Sequence, residues 1–105
     1  MSFVRACAVA DVPTDAALAV VVEGTTLAIA RDGDDWFAIY DECSHASIPL
    51  SEGELEGNEI ECWLHGSRFD LRTGKPIGLP ATEPVAIYPV RVDGDDVLVD
   101  VRSPF

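Results

Sequence analysis

Two short runs of metal-binding residue types constrain the folding of this 105-residue chain more than any other feature. Cys43 and His45 form a Cys-x-His run, and Cys62 and His65 form a Cys-x₂-His run. Together they use both histidines of the chain and two of its three cysteines. Because thiolates and imidazoles are ligands of zinc and of iron–sulfur clusters, the sequence predicts one metal site built from both runs.

Around these runs, turn-forming residues separate short segments rich in β-branched and aromatic residues, and helical periodicity is scarce. Hairpin turns are predicted at positions 32–35 and 93–96, which both read Asp-Gly-Asp-Asp. The sequence therefore predicts an all-β domain, a small sandwich or barrel. The predicted strands cover residues 3–9, 18–22, 27–31, 36–40, 85–92 and 97–101.

The length suits a single domain over residues 1–105. We expect a basal β scaffold from about residues 1–40 and 72–105, with residues 41–71 inserted as a metal-binding subdomain. No signal peptide is apparent and no uncharged apolar run approaches about 20 residues, so we expect a cytoplasmic protein without membrane contact. Cys7 is expected to be a buried thiol in the first strand.

The charge balance is strongly acidic, with 19 acidic against 7 basic residues and a net charge of −12. Nucleic acid and anionic membranes are therefore poor partners. Positions 32–67 contain no lysine or arginine, although they hold ten acidic residues. Two interpretations stay open for these acids, an electric field that steers a basic partner and a solvated face that maintains solubility.

Two cysteines and two histidines are compatible with two kinds of centre. A structural zinc ion would take all four ligands, whereas a [2Fe–2S] cluster can take both thiolates on one iron and both imidazoles on the other. Zinc sites usually draw a cysteine pair and a histidine pair from separate elements. Here each run supplies one ligand of each type, which favours the two-iron centre and leaves structural zinc as the alternative.

The runs at 43–45 and 62–67 resemble the Rieske iron–sulfur motif. Flanking residues at 50–53, 68–70, 73–74 and 79–81 are similar to those of the small Rieske-type ferredoxins of bacterial aromatic-ring dioxygenase systems. The resemblance implies a Rieske-type fold, a small antiparallel β-sandwich with an inserted cluster-binding subdomain, and one [2Fe–2S] cluster per chain. The implied cofactor-binding residues are the ligands Cys43, His45, Cys62 and His65, together with Ser67, whose hydroxyl could reach a bridging sulfide.

Three positions differ from respiratory-chain Rieske proteins, which carry an extra cysteine in each ligand loop and a tyrosine near the cluster. The corresponding residues here are Ile48, Leu64 and Phe69. Fewer hydrogen bonds to sulfur stabilise the reduced cluster less. We therefore expect a reduction potential near the low end of the Rieske range of about −150 to +300 mV.

The resemblance also implies a function, that of a soluble one-electron carrier. It would take electrons from an NAD(P)H-dependent flavin reductase and pass them to the terminal oxygenase of a ring-hydroxylating dioxygenase. No histidine remains as a base and no paired carboxylates stand out, so we expect a carrier and not an enzyme. A fixed redox subunit of a larger enzyme, such as the small subunit of a nitrite reductase, is the alternative.

Partner docking is expected at the tip of the cluster-binding subdomain, where the two imidazoles would reach the surface as the electron port. A small apolar patch with an acidic surround is typical of a transient redox interface, and a monomer is expected. The predicted docking residues are His45, His65, Ala46, Ile48, Pro49, Trp63 and Pro80.

Overall fold

Ten short strands build the part of the chain that the computed structural model describes, residues 3–44, 48–63, 66–77 and 83–102. Within those residues the remaining regular structure is two 3₁₀ turns, so the predicted all-β class is confirmed. The strands are Val4–Ala8 (β1), Leu18–Val22 (β2), Thr25–Asp32 (β3), Asp35–Tyr40 (β4), Leu55–Glu56 (β5), Glu59–Glu61 (β6), Arg68–Asp70 (β7), Ile87–Tyr88 (β8), Val90–Asp93 (β9) and Asp96–Val99 (β10), and the turns are Val9–Asp11 (η1) and Leu50–Glu52 (η2).

The strands form three antiparallel sheets. The first has the order β1-β10-β9 and the second the order β2-β3-β4-β8. Side chains from both sheets share one hydrophobic core, so these two sheets are the layers of a sandwich. The third sheet, β5-β6-β7, lies within the segment predicted to bind metal and shares a second core with β3 and β4.

Strand β3 contributes side chains to both cores. Its side chains alternate between the two faces of the sheet, as those of any strand do. Leu27 and Ile29 enter the sandwich core, whereas Ala28 and Ala30 enter the core beneath the third sheet. All four side chains are fully buried, which explains the unbroken apolar run in the sequence. The two small alanines let the metal-binding segment pack close to the sheet.

Both predicted hairpins are confirmed. Asp32 pairs with Asp35 and Asp93 pairs with Asp96, which leaves a two-residue loop in each case. The first loop residue is a glycine with positive φ, 61° at Gly33, as a type II′ turn requires.

The prediction of one continuous strand over residues 85–92 was wrong. The structure divides it into β8, which pairs with β4, and β9, which pairs with β10 in the other sheet. Pro89 lies at the division and has no N–H for a sheet ladder, so the chain leaves one sheet there and joins the other.

No helix among the described residues has the length and apolar character needed to cross a lipid bilayer.

One glycine is required because of its surroundings and not because of its backbone angles. Gly53 follows η2 with φ −86° and ψ 174°, a conformation open to any residue. A Cβ atom at this position would, however, overlap the carbonyl oxygen of Glu61 in β6. Gly53 therefore permits η2 to lie directly against the third sheet.

We expect Gly53→Ala to lower the free energy of unfolding by at least about 3 kcal/mol, because backbone atoms on both sides must separate. Gly24→Ala is the control, since its Cβ meets no atom within 4 Å and only the positive φ of 81° is strained, at a cost of about 1–2 kcal/mol. Thermal unfolding of both variants measures the difference. Equal destabilisation would contradict the contact between η2 and β6.

Candidate metal centre

The two predicted cysteine ligands lie in the same buried region. Cys43 and Cys62 are 2% and 1% exposed and belong to the core that also contains Leu50, Ile60 and Phe69. All three cysteines of the chain are among the described residues, and none forms a disulfide. Two thiols buried in one core, from segments far apart in sequence, could provide the thiolate half of the predicted ligand set.

Each of these cysteines begins a loop that is closed in the same way. The backbone N–H of Cys43 donates to the carbonyl of Ile48 at 2.9 Å, and that of Cys62 donates to the carbonyl of Ser67 at 2.6 Å. The acceptor follows the cysteine by five positions in both loops. Gly66 closes the second loop further by donating to the carbonyl of Cys62 at 2.9 Å. The two loops therefore have related backbone arrangements, as expected of paired ligand loops.

Several predicted site residues lie outside the described residues, namely His45, Ala46, His65 and Pro80. Within the described ranges no group of three or more histidine, cysteine or acidic side chains is placed to hold a metal. Two of the four predicted ligands are outside those ranges, so the full set remains a prediction. Ser67 is fully buried at the base of the second loop, and its contact with a sulfide also remains a prediction.

Asp41 connects the first loop to η2. Its carboxylate accepts two hydrogen bonds of 2.6 Å, one from the backbone N–H of Ser51 and one from the Ser51 hydroxyl. Its own N–H donates to the carbonyl of Thr26 in β3 at 3.0 Å. Asp41 is only 6% exposed. It therefore does not belong to the solvated acidic surface, although it is one of the ten acids at positions 32–67.

Other acids of that segment surround Arg68 in β7. Its guanidinium lies 3.0 Å from Glu56, 3.5 Å from Glu59 and 3.2 Å from Glu61. The hydrogen bond to Glu56 is the main cause that raises the pKa of Arg68. Exposed ion pairs stabilise a fold weakly. The larger effect of these ion pairs is to neutralise the positive charge of Arg68 within the segment predicted to bind metal.

The described docking candidates differ in exposure. Ile48 is half-buried and packs against the core, whereas Pro49 is exposed. Trp63, directly after Cys62, is 51% exposed, and its indole N–H donates to Glu52 at 3.2 Å. Ile77 is a further exposed apolar residue, 50% exposed and hydrogen-bonded through its backbone to Arg68. The sequence did not predict its exposure, because an isolated isoleucine after a proline has no distinctive pattern.

One contact fixes the segment that follows the third sheet. The hydroxyl of Ser44, next to the first predicted ligand, donates to the carbonyl of Glu83 at 2.6 Å. Ser44, in the first cysteine loop, thus holds the chain shortly before it returns to the first two sheets. No signal in the sequence indicates this pairing, because Ser44 and Glu83 are 39 positions apart.

Cys7 does not take part in the site. It lies in β1, is 6% exposed, and packs in the sandwich core, as predicted. Burial, and secondarily the charge of Asp11, raises the pKa of the Cys7 thiol. A raised thiol pKa keeps the group neutral and poorly reactive, so its role is packing.

The residues present fit an iron–sulfur group, and comparison with known proteins supports the same centre. The profile of the Rieske [2Fe-2S] domain matches residues 2–89. The 3-phenylpropionate/cinnamic acid dioxygenase ferredoxin subunit of Escherichia coli (strain K12) is 43% identical over 102 residues, covering 96% of this chain and 95% of the relative.

Solved structures agree with the sequence comparison. The ferredoxin of carbazole 1,9a-dioxygenase from Nocardioides aromaticivorans IC177 has a TM-score of 0.89 and 40% identity, covering 94% of this chain and 97% of that one. A chain in a complex of reduced oxygenase and oxidized ferredoxin of carbazole 1,9a-dioxygenase has a TM-score of 0.84 and 37% identity, covering 92% and 91%.

The chain therefore belongs to the Rieske [2Fe-2S] domain family, and its cofactor is a Rieske-type [2Fe–2S] cluster. Within that family it is a Rieske-type ferredoxin, an electron carrier and not itself an enzyme. The predicted fold, cofactor and class of function are confirmed.

Replacing Asp41 tests the connection between the first loop and η2. We expect Asp41→Ala to lower the free energy of unfolding by about 2–4 kcal/mol, because two charge-assisted hydrogen bonds are lost and the Ser51 N–H is left without its acceptor. Release of the cluster, followed as the decay of visible absorbance, should accelerate at least several-fold. Glu42→Ala, at an exposed neighbouring acid, is the control. Identical unfolding and decay in the two variants would disprove the role of Asp41.

Proposed function

We propose that this ferredoxin carries single electrons from an NAD(P)H-dependent flavin reductase to the terminal oxygenase of a ring-hydroxylating dioxygenase. The observation that carries the proposal is the pair of buried cysteines at the start of two similarly closed loops. Two relatives that align over nearly the whole chain support the same role. One is named as the ferredoxin subunit of 3-phenylpropionate/cinnamic acid dioxygenase and the other as the ferredoxin of carbazole 1,9a-dioxygenase, and both names refer to aromatic compounds.

The proposed ligands are Cys43 and Cys62 on one iron and His45 and His65 on the other. When bound, such a cluster accepts and releases one electron. The protein contributes two buried thiolates in a region with little water, and the closed loops hold them in place. Because both imidazoles are neutral ligands, this set carries two negative charges fewer than four thiolates, which favours reduction.

The domain arrangement is part of the proposal. Residues 1–40 and 72–105 would form the basal scaffold and residues 41–71 the cluster-binding subdomain of a single domain. We infer transient contacts with both redox partners and a monomeric carrier. A cytoplasmic location follows for a carrier that an NAD(P)H-dependent reductase supplies.

Electron paramagnetic resonance of the dithionite-reduced protein, with iron and sulfide analysis, tests the cofactor and its ligands. We expect two irons per chain and a mean g value below that of an all-cysteine [2Fe–2S] ferredoxin, because imidazole ligation makes the two irons unlike. Cys7→Ser should leave both measurements unchanged. A silent spectrum together with stoichiometric zinc would favour the structural zinc alternative.

Substitution of one imidazole tests the proposed ligand set directly. Where a cluster still assembles, we expect His65→Cys to lower the midpoint potential on the order of 100 mV or more, because a thiolate adds one negative charge. Potentiometric titration of the variant and the parent protein measures the shift. A potential equal to that of the parent would mean that His65 is not a ligand.

A further inference from the structure

Trp63 is a large apolar side chain left in water beside the predicted metal centre. It follows Cys62 directly and is 51% exposed. An indole exposed to this extent forgoes much of the free energy that burial of its ring would provide. Tryptophan is also the residue type most enriched among the energetic anchors of protein interfaces. Its position next to a cluster-binding loop therefore indicates a use in docking.

Glu52 holds this indole in one orientation. The Trp63 Nε1–H donates to Glu52 Oε1 at 3.2 Å. Glu52 is the last residue of η2. The residue before it, Ser51, is hydrogen-bonded to Asp41, and the residue after it, Gly53, lies against β6. The acceptor is thus fixed to the rigid part of the subdomain. A hydrogen bond between the second loop and η2 limits the rotation of the ring before any partner arrives.

The same hydrogen bond changes the cost of burying the indole. An N–H that loses water without gaining an acceptor carries an unfavourable desolvation free energy. Here Glu52 supplies the acceptor within the chain, so a partner needs to offer only an apolar surface to the ring. Orientation in advance also reduces the side-chain entropy that is lost on binding.

Exposed acids in the segment that carries Trp63 favour a basic partner surface. Glu42, Glu52 and Glu54 are exposed, and positions 32–67 contain no lysine or arginine. Arg68, the following cation in the chain, is engaged by three glutamates. Glu52 thus places one carboxylate beside Trp63, and the other exposed acids give the same segment negative charge, which an apolar recess rimmed by lysine or arginine would complement.

We propose that Trp63, oriented by Glu52, is the anchor that the terminal oxygenase receives in an apolar recess with a basic rim. Trp63 is the binding residue and Glu52 is a positioning residue. The inference rests on the proposed function, because the oxygenase is the proposed electron acceptor. A chain homologous to this one lies in a ferredoxin–oxygenase complex of carbazole 1,9a-dioxygenase, which favours the oxygenase over the reductase as occupant.

A different role for Trp63 would be to shield the metal centre from water. Shielding and anchoring predict different measurements. Removal of a shield changes the reduction potential and the lifetime of the bound cluster, because both respond to solvent access. Removal of an anchor leaves these two quantities near those of the parent and weakens the oxygenase complex.

The test uses cluster-loaded ferredoxin, reduced and mixed with the terminal oxygenase of its own dioxygenase system. The rate of oxygenase reduction against ferredoxin concentration gives the apparent Kd. We expect Trp63→Ala to raise Kd at least about tenfold, the change that corresponds to loss of an interface anchor. Trp63→Phe, which keeps an aromatic ring without the N–H, should raise Kd less. Midpoint potential and the rate of reduction by the reductase should not change.

Glu52→Ala and Glu54→Ala form the matched pair, because each removes one exposed carboxylate and only the first accepts from Trp63. We expect Glu52→Ala to raise Kd at least about threefold more than Glu54→Ala does. Glu52→Gln, which retains an oxygen acceptor, should restore part of the affinity.

Three results would overturn the inference. They are an unchanged Kd in Trp63→Ala, equal effects of the two glutamate substitutions, and a loss confined to the reductase reaction. Failure of the parent ferredoxin to reduce the oxygenase at all is distinguishable from these, since it would overturn the proposed function and this inference with it.

Discussion

Asp41 fixes the segment that carries both cysteines of the site to the second sheet. A buried carboxylate is costly unless charge-assisted hydrogen bonds replace its water, and here Ser51 supplies two of them. The backbone N–H of Asp41 donates to Thr26 in β3, so this one residue joins the second sheet to η2. Gly53 then lies against Glu61, the residue before Cys62. The positions of both cysteine loops depend on this sequence of contacts.

Sharing of strands between two cores gives the site a rigid support. Leu27 and Ile29 fill the sandwich core from one face of β3, and the small side chains of Ala28 and Ala30 face the metal-binding segment. In β4, Ala38 and Ile39 are divided between the same two cores. Close packing on both faces of the sheet holds the loops built on it in defined positions, as a binding site requires.

Local patterns predicted much of this fold. Runs of β-branched residues identified most strands, and Asp-Gly-Asp-Asp identified two hairpins, because turn and strand preferences act over a few residues. Pro89 was the local signal that was overlooked. The order of cysteine and histidine also indicated the class of metal centre, because ligand chemistry restricts which groups those residue types hold.

Contacts between distant residues could not be predicted in the same way. Asp41 resembles the neighbouring surface acids in sequence, and only the fold shows that Ser51 covers it. The pairing of Trp63 with Glu52 likewise joins positions 11 residues apart on separate elements. Such contacts depend on how loops pack on a sheet, and nothing in composition or periodicity specifies them.

The distribution of charge is consistent with a partner that binds and leaves quickly. Asp41 lies inside, and Glu56, Glu59 and Glu61 share Arg68, so fewer acids face solvent freely than the count of ten implies. Those that remain exposed still carry one sign of charge, which speeds encounter with a basic surface while adding little to the lifetime of a complex. In the docking role that we propose, the oriented side chain of Trp63 adds specificity over a small area. A carrier that must release each partner after one electron needs this combination of fast association and limited affinity.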